Sequence, residues 1–381
     1  MMNSPICSML DIEFPLLAFS HCRDVVAAVS KAGGMGVFGA VNLSPERLRE
    51  ELDWIDAHAD GKPYGVDLIV PNKFAGKGEK LDTGRLIDSI PQEHKDFASG
   101  ILAEHDIATD ELDRTRGISG NFARNLRAEG AASSLEVAFE YPIKLIANAL
   151  GVPPQVMLDL GKQHGVPVAA LVGAKEHAVA QVNAGVDILV VAGGEAGGHC
   201  GDVSTMVLIP EVARALKEVG ADTPILAAGG ITTGEQMAAA IAMGAAGAWC
   251  GSVWLTTAEA ETNPVVKEKM LAASSRDTVR SRSRTGKPSR QLRSPWTDAW
   301  EGEDAPEPLP MPLQSMVSEP ALRQIDKLSQ SGHQGAKDLA TYWVGQGVGL
   351  MNQPLSSGQV VQQFKEEFAE AFERLSASLG D

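Results

Sequence analysis

Residues 224–252 read PILAAGGITTGEQMAAAIAMGAAGAWCGS, and this order decides the class of fold. An apolar run at Pro224–Ala228 ends in two glycines, and Thr233 then precedes an alanine-rich segment that closes near Gly244. A second apolar run, Ala246–Cys250, follows directly. Threonine is a preferred residue before a helix and glycine a preferred residue after one, so the stretch predicts a strand, a helix and a second strand. Such units build parallel sheets.

The same alternation of short apolar runs with helical patterns extends back to Pro15. The predicted strands are Pro15–Phe19, Gly36–Phe38, Tyr64–Val70, Ile143–Ala149, Val166–Val172, Asp187–Val191, Pro224–Ala228 and Ala246–Cys250. Eight parallel strands close a (β/α)8 or TIM barrel, so we predict an α/β protein of this class. The stretch Gly34–Gly39 matches the dinucleotide pattern G-x-G-x-x-G, but it follows a predicted helix and contains a strand. A Rossmann site needs the opposite order, which argues against one here.

Two segments interrupt this rhythm and divide the chain. We predict that residues 1–70 and 135–257 form the barrel, and that residues 71–134 are a polar insertion after the third strand, with a helix around Gln92–Glu104. An insertion at that end of a strand lies beside the barrel mouth, where it is either a lid or cap, or mere decoration.

Residues 258–381 are predicted to form a helical C-terminal extension. Apolar residues recur at helical spacing near its end: Val361, Phe364, Phe368, Phe372 and Leu375. Such a stripe favours a helix docked on the barrel, with a homodimer contact as the alternative.

The 381-residue chain is acidic, with a formal net charge of −16 and a pI of about 5.0. A polyanion would be repelled at long range, so nucleic-acid binding is not expected. The four cysteines lie far apart in the sequence and favour a reducing, cytoplasmic location over a disulfide framework. No apolar run approaches the roughly 20 residues that span a bilayer, and the N-terminus lacks a basic leader, so no membrane partner is expected.

The residues most suited to chemistry follow the sixth predicted strand, where residues 188–201 read ILVVAGGEAGGHCG. Glycines such as Gly193, Gly197 and Gly198 let the backbone approach a flat or anionic ligand closely. His199 would face the barrel mouth, and the near-neutral pKa of a histidine suits proton transfer at neutral pH. We therefore predict that His199 is the catalytic residue rather than a structural histidine in a turn.

Glycines also follow the last two predicted strands, with Gly229 and Gly230 after the seventh and Gly251 and Ser252 after the eighth. Loops at these places commonly bind phosphate through backbone N–H groups, so the pattern predicts a phosphate-bearing cofactor. A basic run from Arg276 to Arg293 is either solvated surface or, if it reaches the barrel mouth, a site for an acidic substrate or a second phosphate. Two His-Cys neighbours lack a ligand pair at zinc-site spacing, so no metal is predicted.

At these motifs the chain resembles the nitronate monooxygenase family, over nearly its whole length. The matching stretches are AAVSKAGGMGVFG at 27–39, GVDLIVP at 65–71, GEAGGHCG at 194–201, AAGGI at 227–231, Gly251-Ser252 and RTGKPSR at 284–290. The resemblance implies one non-covalently bound FMN and a reaction in which a nitronate gives an electron to FMN, oxygen reacts, and a carbonyl compound leaves with nitrite. It also implies that His199 lies over the flavin and removes the α-proton of a neutral nitroalkane.

The resemblance implies, in addition, which residues contact FMN. Its phosphate would be held at four positions: Gly229, Gly230, Gly251 and Ser252. The other positions expected near the cofactor or substrate are Ala18, Phe19, Ser20, Asp67, Ala192, Gly193, Gly197 and Gly198.

Three of these positions differ from residues that the family often has: Ala192 stands in place of Gln, Asp67 in place of Asn and Phe19 in place of Met. The main motif is also shared with the flavin-dependent enoyl-acyl-carrier-protein reductases. The alternative function is therefore an NAD(P)H-dependent flavin reductase acting on a quinone or an enoyl thioester. A non-enzymatic flavin-binding module is a third hypothesis.

Overall fold

In a computed structural model of the protein, eight parallel strands close into a barrel. The structure describes residues 2–70, 83–110, 112, 128–149 and 151–379. The strands are β1 (Leu16–Ser20), β2 (Met35–Gly39), β3 (Tyr64–Leu68), β4 (Leu145–Asn148), β5 (Val168–Val172), β6 (Ile188–Ala192), β7 (Gly198–His199), β8 (Ile225–Ala228) and β9 (Gly247–Cys250). All except β7 pair in parallel in chain order, and β9 closes on β1. The predicted (β/α)8 barrel is confirmed, and each of its eight predicted strands overlaps an observed one.

Helices connect the strands and extend the chain beyond them. They are α1 (Pro5–Leu10), α2 (Arg23–Lys31), α3 (Pro45–His58), α4 (Thr83–Asp88), α5 (Gln92–Ala103), α6 (Ala128–Phe139), α7 (Gln155–His164), α8 (Lys175–Ala184), α9 (Thr205–Glu218), α10 (Gly234–Ala242), α11 (Pro264–Ala272), α12 (Pro295–Trp300), α13 (Leu313–Gln330), α14 (Gln334–Leu339) and α15 (Ser357–Leu379). Thr233 caps α10 by accepting a hydrogen bond from the backbone of Gln236, as the sequence predicts. Among the described residues, no helix combines the length and apolar character needed to cross a bilayer.

Alternate residues of the barrel strands face two separate apolar cores. Leu17, Val37 and Val190 belong to a fully buried cluster inside the barrel, and Ile6 and Leu10 of α1 join the same cluster. Because α1 precedes β1 and packs into this cluster, it closes the N-terminal end of the barrel. The opposite, C-terminal end is where the glycine-rich loops emerge.

The G-x-G-x-x-G pattern lies where the sequence predicts, at the end of α2 and within β2. A Cβ atom added at Gly36 would lie 2.3 Å from the carbonyl oxygen of Val26. Glycine is therefore needed at this position because α2 packs closely on β2, and the role is structural.

The C-terminal extension contributes a small sheet that the sequence analysis did not predict. Its strands β10 (Thr278–Ser281) and β11 (Ser289–Leu292) pair antiparallel, and β11 also pairs with β7. These four-residue strands are rich in serine and arginine, so they lack the alternation of apolar and polar residues that predicts a strand.

The last helix, α15, packs against α10 and α2 on the outside of the barrel. Its Phe364 is buried, and the ring of Phe368 meets Phe14 edge-on at 5.8 Å between centroids. Phe372 and Leu375, farther along the same stripe, are exposed. The first half of the predicted apolar stripe therefore packs on the barrel and the second half does not.

The described part of the insertion packs on the C-terminal extension. Helix α5 overlaps the predicted helix, and the ring of Phe97 meets Trp300 at 4.8 Å between centroids. The Nε2 atom of His94 lies 3.0 Å from the carbonyl oxygen of Glu307. Residues 71–82 and 113–127 lie outside the described residues, so a lid remains a prediction.

Candidate active site

His199 lies on the loop that follows β6, where it forms β7 with Gly198. In the register of the small sheet, His199 is opposite Ser289 and Gly198 is opposite Arg290 of β11. The histidine is therefore held by the C-terminal extension as well as by the barrel. Its side chain is exposed, so a small molecule can reach the ring.

The orientation of this ring is set by two neighbours from the extension. The Nε2 atom of His199 lies 2.8 Å from the hydroxyl oxygen of Thr285, a buried residue in the turn between β10 and β11. The Trp343 ring lies on another side of the imidazole, with 6.4 Å between the two centroids. These contacts hold the imidazole in one orientation.

Two positively charged side chains lie near His199 and affect its pKa. Arg284 is buried, its Nε donates to Glu319 at 2.8 Å, and its guanidinium carbon lies 4.0 Å from the centre of a Trp343 ring. The protein packed around part of the imidazole, and then the positive charges of Lys287 and Arg284, lower the pKa of His199 below its ordinary value. The lowered pKa favours the unprotonated ring at neutral pH, which is the form that accepts a proton.

The glutamate of the glycine-rich stretch joins several loops. Glu195 Oε2 accepts hydrogen bonds from the backbone nitrogen of Thr205 at 2.8 Å and from its hydroxyl at 2.9 Å. This carboxylate lies at the N-terminus of α9, where the helix dipole favours a negative charge. The Thr205 hydroxyl also lies 2.8 Å from the carbonyl oxygen of Gly229. The backbone nitrogen of Gln346 donates to the carbonyl oxygen of Glu195 at 2.9 Å. The loops after β6 and β8 are thereby fixed to each other.

The residues predicted to bind phosphate lie together, because β8 and β9 are neighbouring strands. Gly229 and Gly230 have φ angles of +99° and +72°, which side chains other than glycine rarely adopt. A Cβ atom at Gly251 would meet one neighbour, at 4.0 Å, so space is open beside it. The Ser252 hydroxyl accepts from the backbone nitrogen of Gly345 at 2.8 Å and keeps its own proton for donation.

Asp67 lies near the C-terminal end of β3. Its strand neighbours Val66 and Leu68 pack in the layer between barrel and helices, so Asp67 faces the barrel interior. The residue is 2% exposed, and its Oδ1 atom is buried without a hydrogen-bond partner among the residues that the structure describes. Burial holds the pKa of this carboxyl well above its usual range. An unpartnered polar atom at this end of the barrel fits a polar ligand placed against it.

The predicted residues at the end of β1 have different surroundings. Phe19 faces the barrel interior and stacks on Trp249 at 6.1 Å between ring centroids. Ala18 faces the helices, so its side chain does not reach the barrel mouth. The Ser20 hydroxyl accepts from the backbone nitrogen of Cys22 at 3.1 Å. Of these three side chains, Phe19 alone points towards a ligand in the barrel mouth.

The predicted residues around β6 also separate into two groups. Ala192 packs against the inner core, and a Cβ atom at Gly198 (φ +72°) would have no neighbour within 4 Å. A Cβ atom at Gly193 would lie 2.2 Å from the Thr205 hydroxyl, and one at Gly197 would lie 2.8 Å from the backbone of the C-terminal extension. Gly193 and Gly197 are therefore required by close packing, whereas the backbone at Gly198 is open to a ligand.

The basic run serves mainly in ion pairs. The pairs are Arg280–Asp202, Arg282–Glu307, Arg284–Glu319 and Arg293–Asp298. Arg290 donates instead to the carbonyl oxygen of Gly194 at 2.9 Å. Lys287 and Arg284 are the members whose charge acts on His199.

Sequence reasoning missed the contacts of Glu195, Thr285 and Trp343. Thr285 and Trp343 lie far from His199 in the chain, and no local pattern joins them. A signal for Thr285 was present, because the stretch RTGKPSR that contains it is among those that resemble the nitronate monooxygenases.

A closed parallel barrel with an exposed histidine and two glycine loops at the C-terminal ends of its strands defines a TIM-barrel enzyme with its chemistry at that end. A sequence model of the nitronate monooxygenase family matches residues 12–367. The chain therefore belongs to the nitronate monooxygenase family and is an oxidoreductase. The resemblance predicted from the motifs is confirmed.

Individual proteins are similar to this chain in sequence or in fold. A Mycobacterium tuberculosis protein, Rv1533, whose name assigns it provisionally to the monooxygenases, is 50% identical over 376 residues, which are 98% of each chain. The structure of FabK from Thermotoga maritima has a TM-score of 0.70 at 25% identity, over 99% of this chain and 100% of that one. A nitroalkane oxidase from Streptomyces ansochromogenes has a TM-score of 0.77 at 24% identity, over 97% and 99% of the two chains, which shows a shared fold.

Proposed function

We propose that the protein is an FMN-dependent oxidoreductase that uses oxygen to convert alkyl nitronates, and nitroalkanes after loss of the α-proton, to a carbonyl compound and nitrite. Membership of the nitronate monooxygenase family supports this substrate class. The observation that carries the proposal is His199, an exposed imidazole on the loop after β6 at the barrel mouth, with its Nε2 atom 2.8 Å from the Thr285 hydroxyl.

The residues at the C-terminal end of the barrel suit FMN. The positive φ angles of Gly229 and Gly230, the open side of Gly251 and the hydroxyl of Ser252 favour a phosphate approached by backbone N–H groups. Asp67 offers an unpartnered oxygen to a polar edge of the ring system. When bound, FMN supplies the redox chemistry as the acceptor of electrons from the nitronate.

His199 would remove the α-proton of a neutral nitroalkane. The C–H bond breaks, its electron pair enters the C=N bond of the nitronate, and the imidazole becomes an imidazolium. The protein packed around part of the ring, and then the charges of Lys287 and Arg284, lower the pKa of His199 and favour the unprotonated ring before this step. A substrate supplied as the nitronate has already lost this proton, so His199 is needed for one form of the substrate and not for the other.

Oxygen uptake and nitrite release with 2-nitropropane and with propyl-2-nitronate test this proposal. We expect His199→Asn to suppress turnover of 2-nitropropane while bound FMN and turnover of the nitronate are retained. Ser289→Ala is a matched control, because Ser289 lies opposite His199 and its buried hydroxyl has no hydrogen-bond partner within the described residues. Unchanged 2-nitropropane turnover in His199→Asn would overturn the role of this residue. Absence of nitrite from either substrate, in flavin-loaded wild type, would overturn the substrate class.

We further propose that the enzyme works in the cytoplasm on a small molecule and oxygen, without a nucleic-acid or membrane partner. All four cysteines are free, which supports a reducing compartment. The formal net charge of −16 argues against a polyanionic partner. NADH or NADPH would be a partner only under the alternative reductase function.

A further inference from the structure

Within the described part of the chain, Thr285 provides the one hydrogen bond to the imidazole of His199. The Thr285 hydroxyl oxygen lies 2.8 Å from Nε2 of His199, 3.3 Å from the backbone nitrogen of Lys287 and 3.2 Å from the carbonyl oxygen of Lys287. Thr285 is 4% exposed, so these three neighbours rather than water determine how its hydroxyl is hydrogen-bonded.

The hydroxyl carries a single proton, and this limits the directions of the three contacts. If the proton is donated to the Lys287 carbonyl, the oxygen accepts from the Lys287 N–H and from Nε2–H of His199, and all three contacts are hydrogen bonds. If the proton is donated to Nε2, the Lys287 carbonyl loses this donor. The first arrangement makes three hydrogen bonds and the second makes two, so the first arrangement is favoured.

We propose that Thr285 is a positioning residue that holds His199 in the tautomer with its proton on Nε2, so that Nδ1 accepts the α-proton of the nitroalkane. This inference rests on the proposed role of His199 as the base. The substrate C–H bond breaks, an N–H bond forms at Nδ1, and the electron pair stays on the substrate as the nitronate. The imidazolium keeps its Nε2–H bond to Thr285, and a hydrogen bond from a charged donor is stronger than one from a neutral donor.

The turn that carries Thr285 is anchored to α13, so its hydroxyl is fixed in advance. The Ser318 hydroxyl donates to the carbonyl oxygen of Arg284 at 2.5 Å, and the Gln314 side chain donates to the carbonyl oxygen of Ser283 at 2.7 Å. These contacts hold the backbone on the N-terminal side of Thr285. The C-terminal extension therefore supplies a rigid second layer to a base carried by the barrel, which is what precise orientation of a catalytic group needs.

Two substitutions at Thr285 separate positioning from mere packing. Thr285→Val keeps the volume and removes the hydroxyl, whereas Thr285→Ser keeps the hydroxyl. With FMN-loaded protein, we expect Thr285→Val to lower kcat/KM for 2-nitropropane about 10- to 100-fold, the effect of one hydrogen bond to a group that becomes charged. Turnover of propyl-2-nitronate should stay within about twofold, because no proton is removed from it. Thr285→Ser should restore most of the activity, and Ser289→Ala should resemble wild type.

A measurement without turnover keeps this inference independent of the substrate. Two-bond ¹H–¹⁵N correlation spectra of ¹⁵N-labelled full-length protein report which ring nitrogen of each histidine carries the proton. His199→Asn identifies the relevant signal among the eight histidines. We expect wild type and Thr285→Ser to show the Nε2–H tautomer, and Thr285→Val to show a mixture.

The outcomes separate this inference from the proposed function. An Nδ1–H tautomer in wild type, or unchanged tautomers in Thr285→Val, would overturn the role of Thr285. Equal losses on 2-nitropropane and on its nitronate would also overturn it, because they indicate a general structural effect. If wild type turned over neither compound, the proposed function would fail, and the spectra would still decide the tautomer.

Discussion

The buried carboxyl of Asp67 gives a quantitative prediction about pH and stability. The residue is 2% exposed, one of its oxygens has no hydrogen-bond partner in the described part of the chain, and burial raises its pKa well above the usual range. An unfolded aspartate loses its proton near pH 3.9, whereas the folded protein holds this proton to a higher pH. Folding therefore binds a proton at Asp67. The stability of the folded protein falls as the pH rises from the unfolded pKa of this carboxyl towards its folded pKa. Asp67→Asn has the same shape and does not titrate.

The magnitude follows from proton linkage. Each pH unit over which the folded protein keeps the proton and the unfolded chain does not costs about 1.4 kcal/mol. The stability of Asp67→Asn relative to wild type should therefore increase as the pH rises above about 3.9, by up to about 1.4 kcal/mol per pH unit while the folded protein keeps the proton. The direction of the pKa shift determines the sign of this stability difference. Asp67→Asn becomes more stable relative to wild type as the pH rises.

The assay is urea unfolding of flavin-free protein at several pH values between 5 and 8. Asp222→Asn removes an exposed carboxyl just before β8 and is the matched control. The stability of the Asp222→Asn protein relative to wild type should change little over the same pH range. A difference between Asp67→Asn and wild type that is independent of pH would refute the reasoning, because it would mean that Asp67 is ionised in the folded protein.

Three further predictions concern other parts of the molecule. Because the pKa of His199 is lowered, kcat/KM for a nitroalkane should fall on the acid side with an apparent pKa below about 6.5, and a pH–rate profile with a higher value would contradict this. Glu195→Ala should lower the free energy of unfolding by about 1–2 kcal/mol and weaken FMN binding, since the backbone nitrogen of Thr205 loses its acceptor. Denaturation midpoints and flavin titration measure the two effects, and unchanged values would rule out this role. Gly36→Ala should destabilise the protein by about 1–3 kcal/mol, because the Cβ atom of the new alanine would meet the carbonyl oxygen of Val26. An unaltered melting temperature would disprove the close-packing argument.

The barrel could be predicted from sequence because its strands are short apolar runs separated by well-marked helices. Thr233 and the glycines after β8 carry local signals whose meaning does not depend on distant residues. The strands β10 and β11 carry no such signal. They exist because β11 pairs with both β10 and β7, a contact between distant parts of the chain.

Part of the candidate site could likewise be predicted from the sequence. His199 and the glycine loops belong to compact motifs, so their meeting at one end of the barrel follows from the strand order. The position of Ala18 near the flavin stays a prediction, and its side chain faces the helices because successive residues of a strand alternate. Thr285 and Trp343 could not be found this way, since tertiary packing of the extension alone brings them to His199.

The most direct test of the central claim is anaerobic mixing of flavin-loaded protein with propyl-2-nitronate, and separately with NADH and NADPH. The proposed function predicts that the nitronate bleaches the flavin absorbance and that neither nicotinamide does so rapidly. Bleaching by a nicotinamide alone would contradict it and would identify a flavin reductase whose substrate is a quinone or an enoyl thioester.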